Sequence, residues 1–382
     1  MATLLFCTKG LAQNYDSFNY VLSEKDAKEV IEKLLSVTPI IDGHNDLFIH
    51  YFDCDECPRG LKAYPIDTIS KGQTDIPRWR KGGVGGQLLN VFGKESTNES
   101  YLQAWDFLYQ MEEAYKSDLK IVGTSAEMRN IMNQGKIAVL PTLEGAVRIQ
   151  DDPLFLRMYY KLGLRAVTFA YKTNELADGS DDEPRHNGIS EKGKAMVNEM
   201  NRLGIIIDMS HISAKAMSDI LNVSTSPVIF SHSNVRALCD VNRNVPDSVL
   251  TRLQENKGII MLTMVPYFTT NEYNDWIHKG DEVYFKAKDT YPEDKDAMNK
   301  LMDEWEISNP QPVVTIQDLA NHFDYVKNLI GVDYIGIAGD YDGIEFFIKD
   351  MEDVSTYPKL LVELARRGWT ETDLKKITSE NF

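Results

Sequence analysis

The sequence predicts a (β/α)8 barrel, because eight short apolar runs alternate with amphipathic helical stretches. The runs are continuous instead of strictly alternating, which is typical of parallel strands that are covered on both faces. A chain of 382 residues can hold eight such units, and a closed barrel fits that number better than an open doubly wound sheet. The runs are PIIDGHND, GGVGGQLLNVFG, KIAVLPTLEGA, LRAVTFAY, GIIIDMSH, SPVIFSHS, GIIMLTMV and DYIGIAGDYDG.

The segments between the runs predict both helices and long loops. Residues 190–203 and 247–256 have the apolar spacing of amphipathic helices. Long loops are expected at 51–79, after the first strand, and at 269–312, after the seventh, either as a lid or subunit contact over the barrel mouth or as plain surface. We therefore divide the chain into an N-terminal segment, 1–35, and a single catalytic domain, 36–382.

The charge balance narrows the classes of partner. Lys and Arg number 41 against 58 Asp and Glu, and the resulting net charge of −17 disfavours nucleic acid and anionic membrane surfaces. No apolar run approaches the ~20 residues of a membrane span.

The N-terminus carries a possible export signal. An apolar patch at residues 2–7, followed by GLAQ, resembles the end of a secretory signal near Ala12, although a basic region is missing. We expect export, with a cytoplasmic protein as the alternative.

The cysteines predict no disulfide framework. The four of them, Cys7, Cys54, Cys57 and Cys239, are unevenly spaced. Cys54 and Cys57 form a single CxxC, which leaves a local disulfide, a metal contact and free thiols open.

Residues that commonly bind metals follow the predicted strands. His44 and Asp46 are two positions apart, so an extended chain projects both side chains to the same side. In barrel enzymes the chemistry lies at the carboxyl ends of the strands, where the loops converge. The residues found at these ends are His44, Asp46, Glu144, His211, His232 and Asp340, with Asp342 close by.

Three histidines and several carboxylates at one barrel mouth predict a metal centre. Their number exceeds the three protein ligands of an open mononuclear zinc site. Two ions about 3.5 to 4 Å apart, sharing a carboxylate and a bridging water that ionises near neutral pH, fit better.

Six short sequence motifs resemble those of the renal or membrane dipeptidase family of metallopeptidases. They occur in the family's order and spacing, and the similarity extends from about residue 36 to the C-terminus. They are DGHND, LEGA, NRLGIIIDMSHIS, PVIFSHS, NRNVPD and GIAGDYDG. The resemblance implies a zinc-dependent dipeptidase in which a hydroxide bridging two zinc ions attacks the peptide bond. It also implies tolerance of a D-residue at the C-terminal position of the dipeptide. Homodimerisation is left open.

The resemblance also implies a role for each site residue. His44 and Asp46 would bind the first zinc, Glu144 would bridge both ions, and His211 and His232 would bind the second. Asp340 would act as the acid and base, and Arg243 would bind the carboxylate of the dipeptide, for which a guanidinium fork is well suited. Apart from the resemblance, Asp342 is two residues from Asp340 and would face the same side, where it would contact the ligands and not the ions.

One position departs from the family pattern. Many relatives carry a substrate-binding histidine at the end of the fourth strand, where this sequence has Ala170 and Tyr171. Either the histidine is lost to Ala170 or Tyr171 offers a hydroxyl in its place.

Two other functions are compatible with the sequence. The altered fourth strand permits a hydrolase of acylated amino acids or lactones. A metal-binding barrel without catalysis is an alternative of another class, although the presence of Asp340 argues against it.

Overall fold

The computed structural model describes residues 22–53, 60–150 and 152–382, and its centre is a closed ring of eight parallel strands. Each strand pairs with the next in the order β1, β2, β4, β5, β6, β7, β8, β9, and β9 pairs with β1 to close the ring. All eight predicted strands are present, so the (β/α)8 barrel is confirmed. The strands are β1 (Ile40–Asn45), β2 (Val84–Asn90), β3 (Leu119–Ile121), β4 (Ile137–Leu143), β5 (Ala166–Thr168), β6 (Ile206–Asp208), β7 (Ile229–Phe230), β8 (Ile259–Thr263) and β9 (Ile335–Ala338).

The strand β3 lies outside the ring and was not predicted. It pairs only with the beginning of β4, whereas β5 pairs with the end of β4. Its three residues include one buried side chain, Leu119, so it lacks the apolar run that marks the other strands.

The described helices surround the barrel. Ser190 caps the predicted helix at 191–203 by accepting a hydrogen bond from the Gly193 N–H, and the helix at 247–256 has the predicted bounds. The helices are α1 (Glu24–Leu35), α2 (Ile49–Phe52), α3 (Ile76–Gly82), α4 (Asn98–Ala114), α5 (Ser125–Asn133), α6 (Pro153–Leu162), α7 (Glu191–Leu203), α8 (Ala214–Val223), α9 (Asp247–Asn256), α10 (Asn271–Thr290), α11 (Lys295–Ser308), α12 (Ile316–Ile330), α13 (Tyr357–Arg366) and α14 (Glu371–Lys375). None of the helices in this part of the chain is both long and apolar enough to cross a bilayer.

The segment 269–312, expected as a long loop, is mostly helical. It contains α10 and α11, which pack through Trp276 and Trp305 with ring centroids 5.2 Å apart. None of the residues of α11 is buried, so this helix has no buried apolar face that could mark it in the sequence. The other insertion, 51–79, is partly described and contains the beginning of α3. Residues 54–59, with Cys54 and Cys57, lie outside the described residues, as do Cys7 and the signal-like start.

Two apolar layers hold the barrel. A larger layer packs the helices onto the outside of the strands. A smaller cluster joins side chains from different strands, including Ile41, Leu140 and Met261, which can meet only inside the ring. The barrel interior is therefore filled, and the strand ends are fixed relative to one another.

Candidate metal centre at the barrel mouth

The six residues predicted from the strand ends lie together at the carboxyl end of the barrel. Three groups among them bring their ligand atoms within 4.8 Å of one another. His44, Asp46, His232 and Asp340 are buried, and Glu144 and His211 are half-buried. The groups are His44 with His232 and Asp340, Glu144 with His211 and His232, and His44 with Asp46 and Glu144.

Glu144 is at the centre of this arrangement. Its Oε1 atom lies 2.8 Å from Nε2 of His211, 3.3 Å from Nε2 of His232 and 3.7 Å from Nε2 of His44. The Nε2 atoms of His211 and His232 are 2.9 Å apart. A carboxylate in contact with three imidazoles can belong to both halves of a metal centre.

His44 provides the test of whether these residues fit a cation. Its Nε2 is buried and has no hydrogen-bond partner among the described residues. Carboxylate oxygens of Asp46, Glu144 and Asp340 lie 3.4, 3.7 and 3.9 Å away, close enough to surround an ion together with the nitrogen. A buried nitrogen without a partner, facing three carboxylates, fits a divalent cation such as zinc.

His232 is oriented by a chain of hydrogen bonds. The Ser231 Oγ lies 2.6 Å from Oδ2 of Asp208 and 2.7 Å from Nδ1 of His232. Since the carboxylate can only accept, Ser231 donates its proton to Asp208 and accepts one from Nδ1. Burial lowers the pKa of His232 well below its ordinary value, so the ring is neutral and Nε2 keeps its lone pair for a metal.

Two buried aspartates, Asp208 and Asp42, fix the strand ends through the same pattern of hydrogen bonds. Oδ1 of Asp208 accepts from the N–H groups of Ser210 and Ser231, and Ser231 directly precedes His232. Oδ1 of Asp42 likewise accepts from the N–H groups of His44 and Gly339, the residue before Asp340.

A hydroxyl group completes the surroundings of each aspartate. Ser231 donates to Oδ2 of Asp208, and Tyr357 donates to Oδ2 of Asp42 at 2.6 Å. Each aspartate thereby joins two strands at the positions where they present their site residues.

Gly43 allows the carboxyl ends of β1 and β7 to approach closely. A Cβ atom at this position would lie 2.3 Å from the carbonyl oxygen of Ser231 and 2.7 Å from the sulfur of Met261. Any side chain would therefore separate His44 from His232, whose rings stack with centroids 3.9 Å apart.

Asn90, at the end of β2, belongs to the site but was not predicted. Its Nδ2 donates to Oδ1 of Asp46 at 2.8 Å and to Oε2 of Glu144 at 3.2 Å. Its Oδ1 accepts from the Glu144 N–H at 3.0 Å. An asparagine after an apolar run is ordinary at a strand end, so no sequence signal marked it.

Asp340 combines burial with close charges. Its pKa is raised to about 7: burial is the largest cause, the charges of Asp46 and Glu144 act in the same direction, and those of His44 and Arg243 oppose it. A carboxyl group in this range can both take up and release a proton near neutral pH.

Three residues of the mouth have left-handed backbone conformations. The φ angles are 70° at His211, 59° at Asp340 and 67° at Asp342. Such angles are uncommon outside glycine and are concentrated at functional sites.

Arg243 is a buried cation that has no acidic partner among the residues that the structure describes. It is 6% exposed, and its Nη1 lies 3.4 Å from the Ser233 Oγ. The guanidinium lies over the ring of Phe268 at 5.0 Å, and in the described part of the chain no carboxylate oxygen is within the 4.0 Å of an ion pair. The group is therefore free to bind an anion.

At the fourth-strand position, Tyr171 and not Ala170 faces the mouth. Ala170 is fully buried in the apolar layer outside the strands. The Tyr171 side chain is 54% exposed, and its ring centroid is 4.7 Å from that of His211.

Asp342, His50, His186 and His322 have partners away from the metal centre. Oδ1 of Asp342 lies 2.8 Å from Nε2 of His50 and accepts from the Gln73 N–H at 2.6 Å. His50 therefore has a partner that lies 292 positions away in the sequence, which no local sequence pattern indicates. His186 contacts the Asn174 carbonyl oxygen, and His322 is buried.

Two cavities lie outside this cluster of residues. One of about 510 Å³ lies beside His50 and Tyr64, and one of about 640 Å³ lies at the opposite end of the barrel, beside Pro39 and Phe382. Neither cavity is lined by a residue of the metal centre. We therefore place the chemistry at the clustered side chains and not in either cavity.

A parallel (β/α)8 barrel with a histidine and carboxylate centre at its mouth defines the class of metal-dependent hydrolase barrels. A sequence model of the membrane dipeptidase family, Peptidase family M19, matches residues 28–382, and the chain belongs to this family. It is therefore a hydrolase of the metallopeptidase class, and the family predicted from the six motifs is confirmed.

Known proteins agree with this assignment. The dipeptidase aclJ of Aspergillus oryzae is 32% identical over 369 residues, which cover 93% of this chain and 79% of that protein. The crystal structure of the probable dipeptidase PvdM from Pseudomonas aeruginosa has a TM-score of 0.81 at 23% identity, covering 94% of this chain and 97% of that one. A metallopeptidase from Rhodobacter sphaeroides, liganded with a phosphinate mimic of L-Ala-D-Ala, has a TM-score of 0.72 at 22% identity, with 90% and 97% covered.

Proposed function

We propose that the protein hydrolyses dipeptides that have a free C-terminal carboxylate, including dipeptides with a D-residue at that position, at a centre of two zinc ions. The observation that carries the proposal is Arg243, a buried guanidinium that has no acidic partner among the described residues and whose charge acts on Asp340 and Glu144 of the candidate metal cluster. This combination supports recognition of a small anionic substrate next to a hydrolytic centre.

The residues divide between two ions as follows. His44 and Asp46 would hold the first, His211 and His232 the second, and Glu144 would contact both, which is supported by its short distances to all three histidines. When bound, the ions supply a hydroxide near neutral pH and polarise the carbonyl of the peptide bond.

Arg243 orients the substrate. A guanidinium binds a carboxylate through two parallel hydrogen bonds, and burial strengthens that pairing. A dipeptide held in this way by its C-terminal end presents its single peptide bond at a fixed distance from the anchor, whereas a longer peptide would have to extend past the metal ligands.

Asp340 moves the proton. It takes the proton that the water loses in becoming hydroxide and gives this proton to the leaving amine, for which its carboxylate is suitably placed, 3.9 Å from Nε2 of His44. Tyr171, at the edge of the mouth beside His211, offers a hydroxyl to the oxygen that becomes negatively charged during attack.

Acceptance of a D-residue is supported by the Rhodobacter metallopeptidase, whose bound ligand mimics L-Ala-D-Ala. An acidic protein exported from the cell would meet such dipeptides as fragments of bacterial cell walls, and the signal-like N-terminus supports export.

Paired substrates test the proposal. L-Ala-L-Ala and L-Ala-D-Ala, each as the free acid and as the C-terminal amide, would be assayed with zinc-loaded protein. We expect turnover of the free acids and at least about 30-fold lower kcat/KM for the amides, since an unpaired buried charge costs about 2 kcal/mol or more. Arg243→Met should abolish this preference for the free acid.

One control variant accompanies this assay, and two results would contradict the proposed function. Arg252→Met changes an arginine of α9 that contacts Ser218 and Asn222, and it should keep the preference. Hydrolysis of N-acyl amino acids without turnover of any dipeptide would replace the proposal by the acyl-amino-acid hydrolase. Zinc binding without turnover of any of these compounds would indicate a barrel that has lost catalysis.

A further inference from the structure

Asn90 links two predicted ligands through its position in the barrel. It is the last residue of β2, which pairs with β1 on one side and with β4 on the other. Asp46 follows β1 and Glu144 follows β4, so the side chain of Asn90 lies between the two carboxylates. It is almost completely buried.

The orientation of the Asn90 amide is determined by its partners. Its Oδ1 accepts a hydrogen bond from the backbone N–H of Glu144, so the NH2 group must point to the other side. There the NH2 group has two acceptors, Oδ1 of Asp46 and Oε2 of Glu144, and two protons to donate. Rotation by 180° would place the amide oxygen against both carboxylates and is unfavourable.

This pairing decides which oxygen of each carboxylate faces the histidines. Asp46 uses Oδ1 for Asn90 and keeps Oδ2 at 3.4 Å from His44 Nε2. Glu144 uses Oε2 for Asn90 and keeps Oε1 for His211 and His232. A neutral donor between two carboxylates also reduces their repulsion without adding a cation that would compete with the metal.

We propose that Asn90 is a positioning residue that raises the metal affinity of the centre by holding Asp46 and Glu144 in their ligating orientation. This inference rests on the proposed function, because it takes Asp46 and Glu144 as metal ligands. Residues that hold ligands through hydrogen bonds typically contribute about 10- to 100-fold in metal affinity.

The test measures zinc affinity directly. Asn90→Leu keeps the approximate size of the side chain and removes its hydrogen bonds, and Asn90→Ala removes the side chain. Zinc dissociation constants would be obtained by competition with a chromogenic chelator, and the visible spectrum of the Co²⁺-loaded protein would report ligand geometry. Both variants should bind zinc at least about tenfold more weakly than the wild type, with an altered Co²⁺ spectrum.

A matched control separates positioning from general stability. Asn256, the last residue of α9, also uses both ends of its amide, accepting from the Val228 N–H and donating to the Ser226 carbonyl oxygen at the other end of the barrel. Asn256→Leu should leave zinc affinity within twofold of the wild type, whatever its thermal stability. If Asn90→Leu does not fold, Asn90→Ser keeps one donor and should show an intermediate loss.

The two proposals can fail separately. Wild-type protein that binds no zinc or hydrolyses no dipeptide would refute the proposed function. Wild-type protein that binds zinc and hydrolyses dipeptides, together with folded Asn90 variants whose zinc affinity and Co²⁺ spectrum match it, would overturn the role of Asn90 alone.

Discussion

His322 should make the stability of the protein depend on pH between 8 and 5. Its ring is buried on α12, where Nδ1 accepts from the Val235 N–H at 3.1 Å and Nε2 lies 2.9 Å from the Thr269 carbonyl oxygen. Nε2 therefore carries the proton, and a second proton on Nδ1 would remove the acceptor for Val235. Burial lowers the pKa of His322 from 6.5 to about 4, against small opposing effects from Thr269 and Asp318.

The lowered pKa of His322 determines in which direction the stability of the protein changes with pH. The unfolded chain takes up the proton first as the pH falls, so stability is complete above about pH 6.5 and decreases toward pH 4. A difference of about 2.5 pH units, at about 1.4 kcal/mol each, corresponds to about 3.4 kcal/mol in total. About 2 kcal/mol of this is lost between pH 8 and pH 5.

Urea unfolding of the metal-free protein at pH 8 and pH 5 would measure this loss. His322→Gln offers a neutral acceptor and donor in place of the ring, so its loss of stability over this range should be smaller than that of the wild type by about 2 kcal/mol. The other histidines contribute equally to both proteins. Equal losses in both would refute the reasoning, since His322 would then not be neutral in the folded state.

Three further variants test the site. Asp340→Asn should lower kcat at least about 100-fold while zinc content, measured by elemental analysis, stays unchanged, because the proton carrier is lost and not a required ligand. Tyr171→Phe should lower kcat about 100-fold with little change in KM, measured by steady-state kinetics on L-Ala-D-Ala, and an unchanged kcat would exclude the hydroxyl from the reaction. Tyr357→Phe should destabilise the protein by about 1–3 kcal/mol in urea unfolding at pH 8, because the buried carboxylate of Asp42 loses its hydroxyl donor.

The strand ends were predictable because two signals coincide there. Each barrel strand is an apolar run, and the histidines and carboxylates of the site follow such runs within a few positions, as His44, Glu144 and His232 do. Once the barrel brings these ends together, residues far apart in the sequence become neighbours without any further information.

The contacts that complete the site could not be predicted in this way. Asn90 and Asp42 are ordinary polar residues in their strands, and their roles depend on which atoms of neighbouring strands they meet. The pairing of His50 with Asp342 depends on the path of the loop after β1. The resemblance to the family left open whether Ala170 or Tyr171 stands at the fourth-strand position. The structure distinguishes them, because Ala170 is buried and Tyr171 is exposed.

The left-handed backbone at the mouth limits how this site can change during evolution. His211, Asp340 and Asp342 have positive φ angles, which cost most residues about 1–2 kcal/mol but are tolerated by glycine, asparagine, aspartate and, to a lesser degree, histidine. A descendant can therefore exchange Asp340 for asparagine in one step with little strain, whereas a β-branched residue would deform the loop before any new chemistry could act. Inactive relatives that keep the fold should most often carry asparagine or glycine at these positions.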